Sequence, residues 1–304
     1  MLISVDHGNK QIKTVHAQPF TSGLRESSTP PFGEDVLTYQ GTYYTLTSQR
    51  IPYRRDKTED ERFFALTLFA IAQEIEARGC YTKEVMRVQL AVGLPPAHYG
   101  LQYKPFIKYF SQRGVIKFKF HGKPYAVYID NVACFPQAYA AAVTIFQSLN
   151  NCPKALILDI GGFTADYLLM KNGAADLSTC DSLENGVIVL YNKIKSKVNG
   201  EFDMLLEESD IDALLKGCSE GFSQSVAKTV EREARAFVAD LFSSLRERML
   251  DLRSGKTVFV GGGAILLRRQ IEAAEKVGTA LFVEDIAANA KGYELLYKID
   301  QASR

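Results

Sequence analysis

The feature that most constrains this chain is an internal repeat. Ile3-Ser4-Val5-Asp6-His7-Gly8 and Ile157-Leu158-Asp159-Ile160-Gly161-Gly162 each form an apolar run that ends in Asp-x-Gly and a small or polar turn, about half the chain apart. One Asp-x-Gly after a strand is an ordinary turn. Two copies at this spacing, with a third glycine cluster at Gly261-Gly262-Gly263, point to two copies of one half-domain that face each other across a cleft. A chain of 304 residues has room for two domains at roughly 100–200 residues each.

The chemistry of such turns is direct. Gly8, Gly161 and Gly162 carry no Cβ, so their backbone can approach a phosphate closely and offer N–H donors. Asp6 and Asp159 end their strands where a hydrated cation on those phosphates would sit, and Mg²⁺ takes few carboxylates and several waters. Lys13, seven residues after Asp6, can return to the phosphates. The run Thr257-Val258-Phe259-Val260-Gly261-Gly262-Gly263-Ala264 leaves room for a flat ring against backbone. It is not a dinucleotide fingerprint, which needs a third glycine at a set offset. Gly255-Lys256-Thr257 imitates the end of a P-loop, but Leu250 stands where the first glycine belongs and the run precedes a strand.

Composition excludes several classes. Lys and Arg total 36 against 35 Asp and Glu, so the net charge of +1 cannot drive nucleic-acid binding by bulk attraction. Hydrophobic residues make up 46%, enough for a full core. No apolar run reaches the ~18–20 residues that span a bilayer, and no leader pattern opens the chain. Cys80, Cys134, Cys152, Cys180 and Cys218 are widely spaced with no Cys-x-x-Cys pair, which reads as reduced thiols in a cytoplasmic protein. Neither His-Glu-x-x-His nor Gly-x-Ser-x-Gly occurs.

Periodicity predicts an α/β chain. Leu2–Val5, Val88–Val92, Ala155–Leu158, Tyr167–Met170, Thr257–Val260 and Ala280–Val283 read as strands. Hairpins are expected to turn at Gln40-Gly41 and at His121-Gly122, and a turn is expected at Lys171-Asn172-Gly173. Residues 22–35 read as a loop. Thr58 to Glu61 fits a capping box opening a helix whose stripe is Phe64, Leu68, Ile71 and Ile75 and whose stop is Gly79. Further helices are expected at Lys104–Gln112, Pro136–Leu149, 184–198, 209–216, Ser223–Leu252, Ile265–Lys276 and Ile286–Ile299.

These motifs resemble the nucleotide signature of the actin, sugar kinase and heat-shock ATPase superfamily, over residues 3 to about 298. Asp159-Ile160-Gly161-Gly162-Phe163-Thr164-Ala165-Asp166 is similar to the corresponding hairpin of ParM/StbA plasmid-segregation actins and of FtsA. Gly93-Leu94-Pro95, Pro136-Gln137 and Asn289-x-x-Gly292 favour the ParM side. The resemblance implies an actin-like ATPase fold of two duplicated α/β domains, four subdomains in all, around a central nucleotide cleft. Domain I would be 1–150, with 34–57 as a small outer subdomain and the helix 286–304 packing back. Domain II would be 151–285, with about 181–252 as an outer helical subdomain.

By position, the resemblance assigns Asp6 and Asp159 to Mg²⁺ through water. Gly8, Asn9, Lys10, Lys13, Gly161, Gly162, Thr164 and Asp166 would meet the phosphates. Gly261, Gly262, Gly263 and Ala264 would line the base and ribose, with Glu184, Asn185 and Lys193 near the ribose. Gln137 would open a connecting helix and orient the attacking water; ParM itself has a carboxylate there. His7 reads as a peripheral contact beside the phosphates. Tyr39, Tyr43 and Tyr44 read as sheet-face packing.

The implied function is ATP-dependent assembly into filaments that disassemble after hydrolysis, driving plasmid or DNA segregation. The cofactors are ATP/ADP, with GTP as the alternative, and Mg²⁺. The partners are other copies of the chain and a DNA-binding adaptor at a centromere-like site. Direct membrane binding is not expected, since the sequence closes on Asp300-Gln301-Ala302-Ser303-Arg304 and not on an amphipathic segment. Strong direct DNA binding is not expected either. The alternative is a small-molecule kinase or other non-polymerising ATPase of the same superfamily. A kinase needs a carboxylate base, for which Asp130 is the candidate and glutamine at 137 is unsuited.

Overall fold

The computed structural model describes residues 1–32, 35–149 and 152–303. The expected domain boundary at 150/151, the start of the outer subdomain at 34 and the chain's last residue, 304, lie outside the described residues. The chain divides into two compact units, 1–144 with 287–304, and 145–286.

The first unit opens on β1 (Leu2–His7), then β2 (Gln11–Lys13), β3 (Phe20–Thr21) and β4 (Leu24–Ser27). The hairpin β5 (Val36–Tyr39) and β6 (Thr42–Leu46) turns through Gln40 and Gly41, both at positive φ (50° and 82°) as a two-residue primed turn requires. A 3-10 turn at Lys57–Glu59 leads to α1 (Arg62–Ala77). Then come β7 (Met86–Leu94), α2 (Pro96–Phe110), the hairpin β8 (Val115–Phe120) and β9 (Lys123–Pro136), and α3 (Tyr139–Val143).

The second unit contains a 3-10 turn at Phe146–Ser148, β10 (Lys154–Ile160), β11 (Ala165–Lys171), β12 (Ala174–Leu183), α4 (Val187–Phe202), α5 (Glu208–Leu215) and α6 (Gln224–Glu247). It ends with β13 (Lys256–Val260), α7 (Gly261–Leu266), α8 (Arg268–Ala273) and β14 (Thr279–Phe282). α9 (Ala288–Ala302) returns to the first unit.

The repeat is a repeat of topology. The second unit's sheet runs β12-β11-β10-β13-β14, and the first unit's sheet begins β3-β2-β1-β7-β9 before continuing β8-β5-β6-β4. β1 and β10 each have an antiparallel hairpin partner on one side, β2 or β11, and a parallel neighbour on the other, β7 or β13. Parallel central strands are covered on both faces, so they read as continuous apolar runs. Ile3, Val5, Val88, Leu90 and Val92 are fully buried in one unit, and Ile157, Leu158, Val258 and Phe259 in the other. Phe64, Leu68, Ile71 and Ile75 of α1 are all fully buried, within a run from Phe63 to Ala72 that is buried on every side.

Several expectations give way to tertiary structure. Residues 24–27, expected as loop, form β4, paired to β6 at the sheet edge. The capping box at Thr58 does not form. Asp56 accepts from Thr58 N–H (2.9 Å) and caps the 3-10 turn, and Asp60 accepts from Arg62 N–H at the start of α1 (3.1 Å). α2 begins eight residues earlier than expected, with Pro96 in its first turn, where the missing N–H costs nothing. The alanine-rich helix is only α3: Ala138 enters at φ 60°, and Ile145 leaves helical geometry at φ −118°. Gln137 therefore lies in the turn before the helix and does not open it. The glycine run is not a linker between strand and helix; Gly261–Gly263 are the first turn of α7, and the expected 265–276 helix is split between α7 and α8. β12, a polar edge strand, had no periodic signal.

Tyr39 and Tyr44 pack against the first unit's core. All five cysteines are free, and burial pushes the Cys134 thiol up to about 12. No helix among the described residues is long and apolar enough to cross a membrane.

Candidate functional site

In the first unit, the β1–β2 hairpin brings Asp6, Gly8 and Lys13 together. Asp6 and Lys13 lie directly opposite in the antiparallel ladder, and Lys13 Nζ donates to Asp6 Oδ2 at 3.2 Å. Gln137, buried after β9, donates from Nε2 to Asp6 Oδ1 at 2.9 Å. The Asp6 carboxylate is thus held by a cation on one oxygen and an amide on the other. A Cβ on Gly8 would sit 2.6 Å from Gln11 O and 3.1 Å from Lys13 Nζ, so only glycine lets the turn fold back on itself. Asn9 and Lys10 complete the turn, half-buried.

In the second unit, the β10–β11 hairpin repeats this spacing with a change of charge. Asp159 and Asp166 lie directly opposite, on one face, where the other hairpin has Asp6 and Lys13. Both are buried, and Thr164 Oγ1 donates to Asp166 Oδ2 at 3.3 Å.

The turn itself rests on α4. Gly186 N–H donates to Phe163 O (2.9 Å), Val187 N–H to Gly161 O (3.1 Å) and Ile188 N–H to Gly162 O (2.8 Å). These carbonyls satisfy the first orphan N–H groups of the helix. In a trans peptide the N–H points opposite to the carbonyl. The N–H groups of Gly162, Phe163 and Thr164 are therefore turned away from α4, as successive donors of the kind that cradle anions. Gly186 is indispensable here: a Cβ would lie 2.3 Å from Phe163 C and 2.4 Å from Gly162 O.

The glycine run divides by role. Gly261, at φ 88°, would put a Cβ 2.3 Å from Asp159 Oδ1, and Gly263 would put one 2.6 Å from Ile160 and 2.7 Å from Val187. Packing alone demands those two. A Cβ on Gly262 would meet nothing within 4 Å, so Gly262 borders open space, and Ala264 is buried behind it.

Other expected residues fall elsewhere. Glu184 is exposed in the connection before α4, Asn185 is half-buried beside it, and Lys193 pairs with Glu233 (3.4 Å). His7 is not a peripheral phosphate contact. It is fully buried, with Nε2 2.7 Å from Thr67 Oγ1, and its ring stacks on Phe110 (centroids 5.4 Å apart) and meets Phe106 edge-on. Burial, reinforced by the nearby Lys57 charge, pulls its pKa down to about 3, so it is neutral. Asp130 pairs with Arg87 (3.1 Å) six residues up β9 from Pro136, roughly 20 Å along the strand. It cannot serve chemistry at the Asp6 end.

The expectations missed Gly186 and Lys57. Gly186, preceding an apolar helical run, carried a readable cap signal; Lys57, in a charged loop, carried none. Among the described residues no group of three or more His, Cys, Asp and Glu is placed to hold a metal.

The Asn289-x-x-Gly292 ending has a physical basis in the first unit. Asn289 Oδ1 accepts from Ala138 N–H (3.0 Å), fixing the turn that carries Gln137. Gly292 lets α9 lie directly on Ala140 of α3.

Comparison with known proteins agrees with this architecture. Residues 4–139 match the family model "Actin like proteins N terminal domain", and residues 157–273 match "Archaeal actin homologue MreB-like, C-terminal". A search of curated protein sequences found no match. Among solved structures, the chain is similar to actin-like protein Alp7A (TM-score 0.77, 16% identity, covering 100% of this chain and 98% of that one). It is similar to Ta0583, an archaeal actin homologue in complex with ADP (TM-score 0.75, 17% identity, 98% and 99%). It also resembles the subunit of a 15-stranded ParM filament from Clostridium botulinum (TM-score 0.73, 16% identity, 98% and 99%). With both of its halves matched by actin-type models and a duplicated strand order that carries one Asp-Gly hairpin in each unit, the chain belongs to the actin-like proteins.

Proposed function

We propose that this chain is an ATPase that assembles into filaments with bound ATP and disassembles after hydrolysis. The observation that carries the reading is the paired hairpins: the central strand of each unit closes on a buried aspartate and a glycine turn, with no room for a Cβ at Gly8 (2.6 Å from Gln11 O) and a tight 3.1 Å to Thr164 O at Gly161. The ADP held by the archaeal homologue and the filament formed by the clostridial ParM support it. In this reading domain I is 1–150 with 286–304, and domain II is 151–285; 34–57 and about 181–252 are their outer subdomains.

Gly8, Asn9, Lys10, Lys13, Gly161, Gly162 and Thr164 bind the phosphates, with Asp166 beside them. Gly261–Ala264, and Gly262 above all, border the base and ribose, with Glu184 nearby. Asp6 and Asp159 are the carboxylates that would hold Mg²⁺ through water, and the chemistry it would supply there is neutralisation of phosphate charge. The fit is chemical: Mg²⁺ asks for one or two carboxylates and otherwise keeps water, and Asp6 and Asp159 each supply one buried carboxylate at a glycine turn. ATP is preferred as the nucleotide, with GTP as the alternative. The near-zero net charge suits a cytoplasmic filament that reaches centromere-like DNA through an adaptor and drives plasmid segregation.

Calorimetric titration with Mg-ATP tests the site. Asp6→Ala and Asp159→Ala should each weaken binding about tenfold or more, since each removes a carboxylate beside a multiply charged ligand. Unchanged affinity in both variants would show that the hairpins are ordinary turns.

Gln137 is proposed to orient the attacking water, its amide fixed by the bond to Asp6. A neutral amide positions water without taking its proton, so turnover is slow. Gln137→Ala should still bind ADP and assemble, while phosphate release falls about tenfold, the loss of one contact worth ~1.4 kcal/mol. Filaments should then outlast those of the wild type. A lower melting temperature with unchanged phosphate release would reduce Gln137 to a strut for Asp6.

A further inference from the structure

Lys57 is a buried ammonium that the chemistry above does not use. It lies in the 3-10 turn Lys57–Glu59 and is only 9% exposed. Burying a charge is expensive unless its surroundings compensate. Here Nζ donates to the main-chain carbonyl of His7 and sits 5.5 Å from the centre of the Phe63 ring. The turn that carries it is anchored at both ends. Asp56 accepts from Thr58 N–H and Oγ1–H, and Asp60 is clamped by Arg62 (2.6 Å) and Arg54 (3.4 Å). The hydrogen bond from Arg62 holds the Asp60 carboxyl below its usual range.

The carbonyl that Lys57 grips belongs to the His7–Gly8 peptide group, whose other end is the Gly8 N–H. In a trans peptide those two groups point in opposite directions. A cation at the oxygen polarises the whole amide and strengthens the N–H as a donor, because hydrogen bonds in a chain reinforce one another in a low-dielectric setting. A Cβ on Gly8 would lie 2.6 Å from Gln11 O and 3.1 Å from Lys13 Nζ, so the Lys13 ammonium stands beside Gly8.

We propose that Lys57 is a positioning residue for anion recognition by the first hairpin: it fixes and polarises the His7–Gly8 peptide so that the Gly8 N–H, beside Lys13, meets the phosphate tail of a nucleotide. The assignment rests on the nucleotide reading of the hairpins. It adds that affinity for phosphate, and not for the nucleoside, depends on a side chain that never touches the ligand.

The test compares wild type, Lys57→Met and Lys57→Arg by calorimetric titration with Mg-ADP and with adenosine, alongside thermal melting. Lys57→Met should bind Mg-ADP about tenfold more weakly, the scale of one charge-assisted hydrogen bond. It should bind adenosine as the wild type does, and Lys57→Arg should recover most of the Mg-ADP affinity. Should Lys57→Met not fold, Lys57→Gln serves in its place, and the same selective loss of Mg-ADP affinity is expected. Equal losses for both ligands, or no loss in a folded neutral variant, overturn the role of Lys57 alone. A wild type that binds neither ligand overturns the nucleotide reading with it.

Discussion

Replacing Gly292 by alanine is expected to cost about 3 kcal/mol or more of stability, against the usual sense of a helical glycine-to-alanine change. In an open helix that change gains ~0.5–1 kcal/mol, because glycine sacrifices more backbone entropy on folding. At 292 the new Cβ would lie 1.9 Å from Ala140 O and 2.2 Å from Ala140 C, so either α9 or α3 must move. The next residue, Tyr293, is fully buried, and its ring leaves no room for a Cβ on Gly93 (2.2 Å). Any shift of α9 therefore propagates to β7. It also loosens the Asn289 bond that holds the Gln137 turn. Gly200, in α4 with nothing within 4 Å of its Cβ position, is the internal control, and Gly200→Ala should be neutral or stabilising. Denaturant unfolding of both variants decides the matter. A Gly292→Ala protein within ~0.5 kcal/mol of wild type, the range of an ordinary surface change, would mean that the α3–α9 approach is not as close as described.

The second large effect is acid sensitivity from His7. Its imidazole is neutral in the fold down to about pH 3, while the unfolded chain takes up a proton below about 6.5. Between those values the unfolded state binds more protons, so stability falls as pH falls. Each unit is worth ~1.4 kcal/mol, or about 4–5 kcal/mol over the whole window. Two other buried carboxyls titrate lower. Burial opposes charge on Glu74, yet hydrogen bonds from Thr14, His16 and Arg78 outweigh it and hold its pKa below 4.5; Asp60 lies below 3.8. The stretch from pH 6.5 to 4.5 therefore reports His7 with little interference from them. His7→Leu leaves the Thr67 hydroxyl bonded to Phe63 O (2.7 Å) and should flatten the stability profile in that stretch. An equal acid slope in both proteins would mean that His7 is not buried neutral.

Where local chemistry decides structure, the sequence was legible. The turns at Gln40-Gly41, His121-Gly122 and Asn172-Gly173 all place both residues at positive φ, and few residue pairs tolerate that. The two Asp-x-Gly strand ends were legible for another local reason: each glycine lies close to the backbone of its own hairpin, Gln11 O for Gly8 and Thr164 O for Gly161. Features set by distant partners were not. β4 is a strand only because β6 pairs with it, although Arg25, Glu26 and Ser27 are polar. α3 starts late, after Ala138 at φ 60°, whose N–H is bonded to Asn289 far along the chain, and it stops before Ile145 at φ −118°. His7 reads as a polar neighbour of phosphates, but alternation along β1 sends Asp6 and His7 to opposite faces, Asp6 toward Gln137 and His7 toward Phe106 and Phe110. Lys57 is buried by a turn that Asp56 caps, where pattern favoured Thr58 as the cap.

The central claim is that nucleotide binding drives assembly, and sedimentation tests it most directly. Purified protein at tens of micromolar, roughly the range where small protomer interfaces become populated, is spun with Mg²⁺ and a non-hydrolysable ATP analogue, with Mg-ADP, and without nucleotide. The protein should pellet with the analogue and stay largely in the supernatant in the other two. Protein that remains monomeric with the analogue, while still binding it, would contradict the filament reading and leave a non-polymerising ATPase of the same fold.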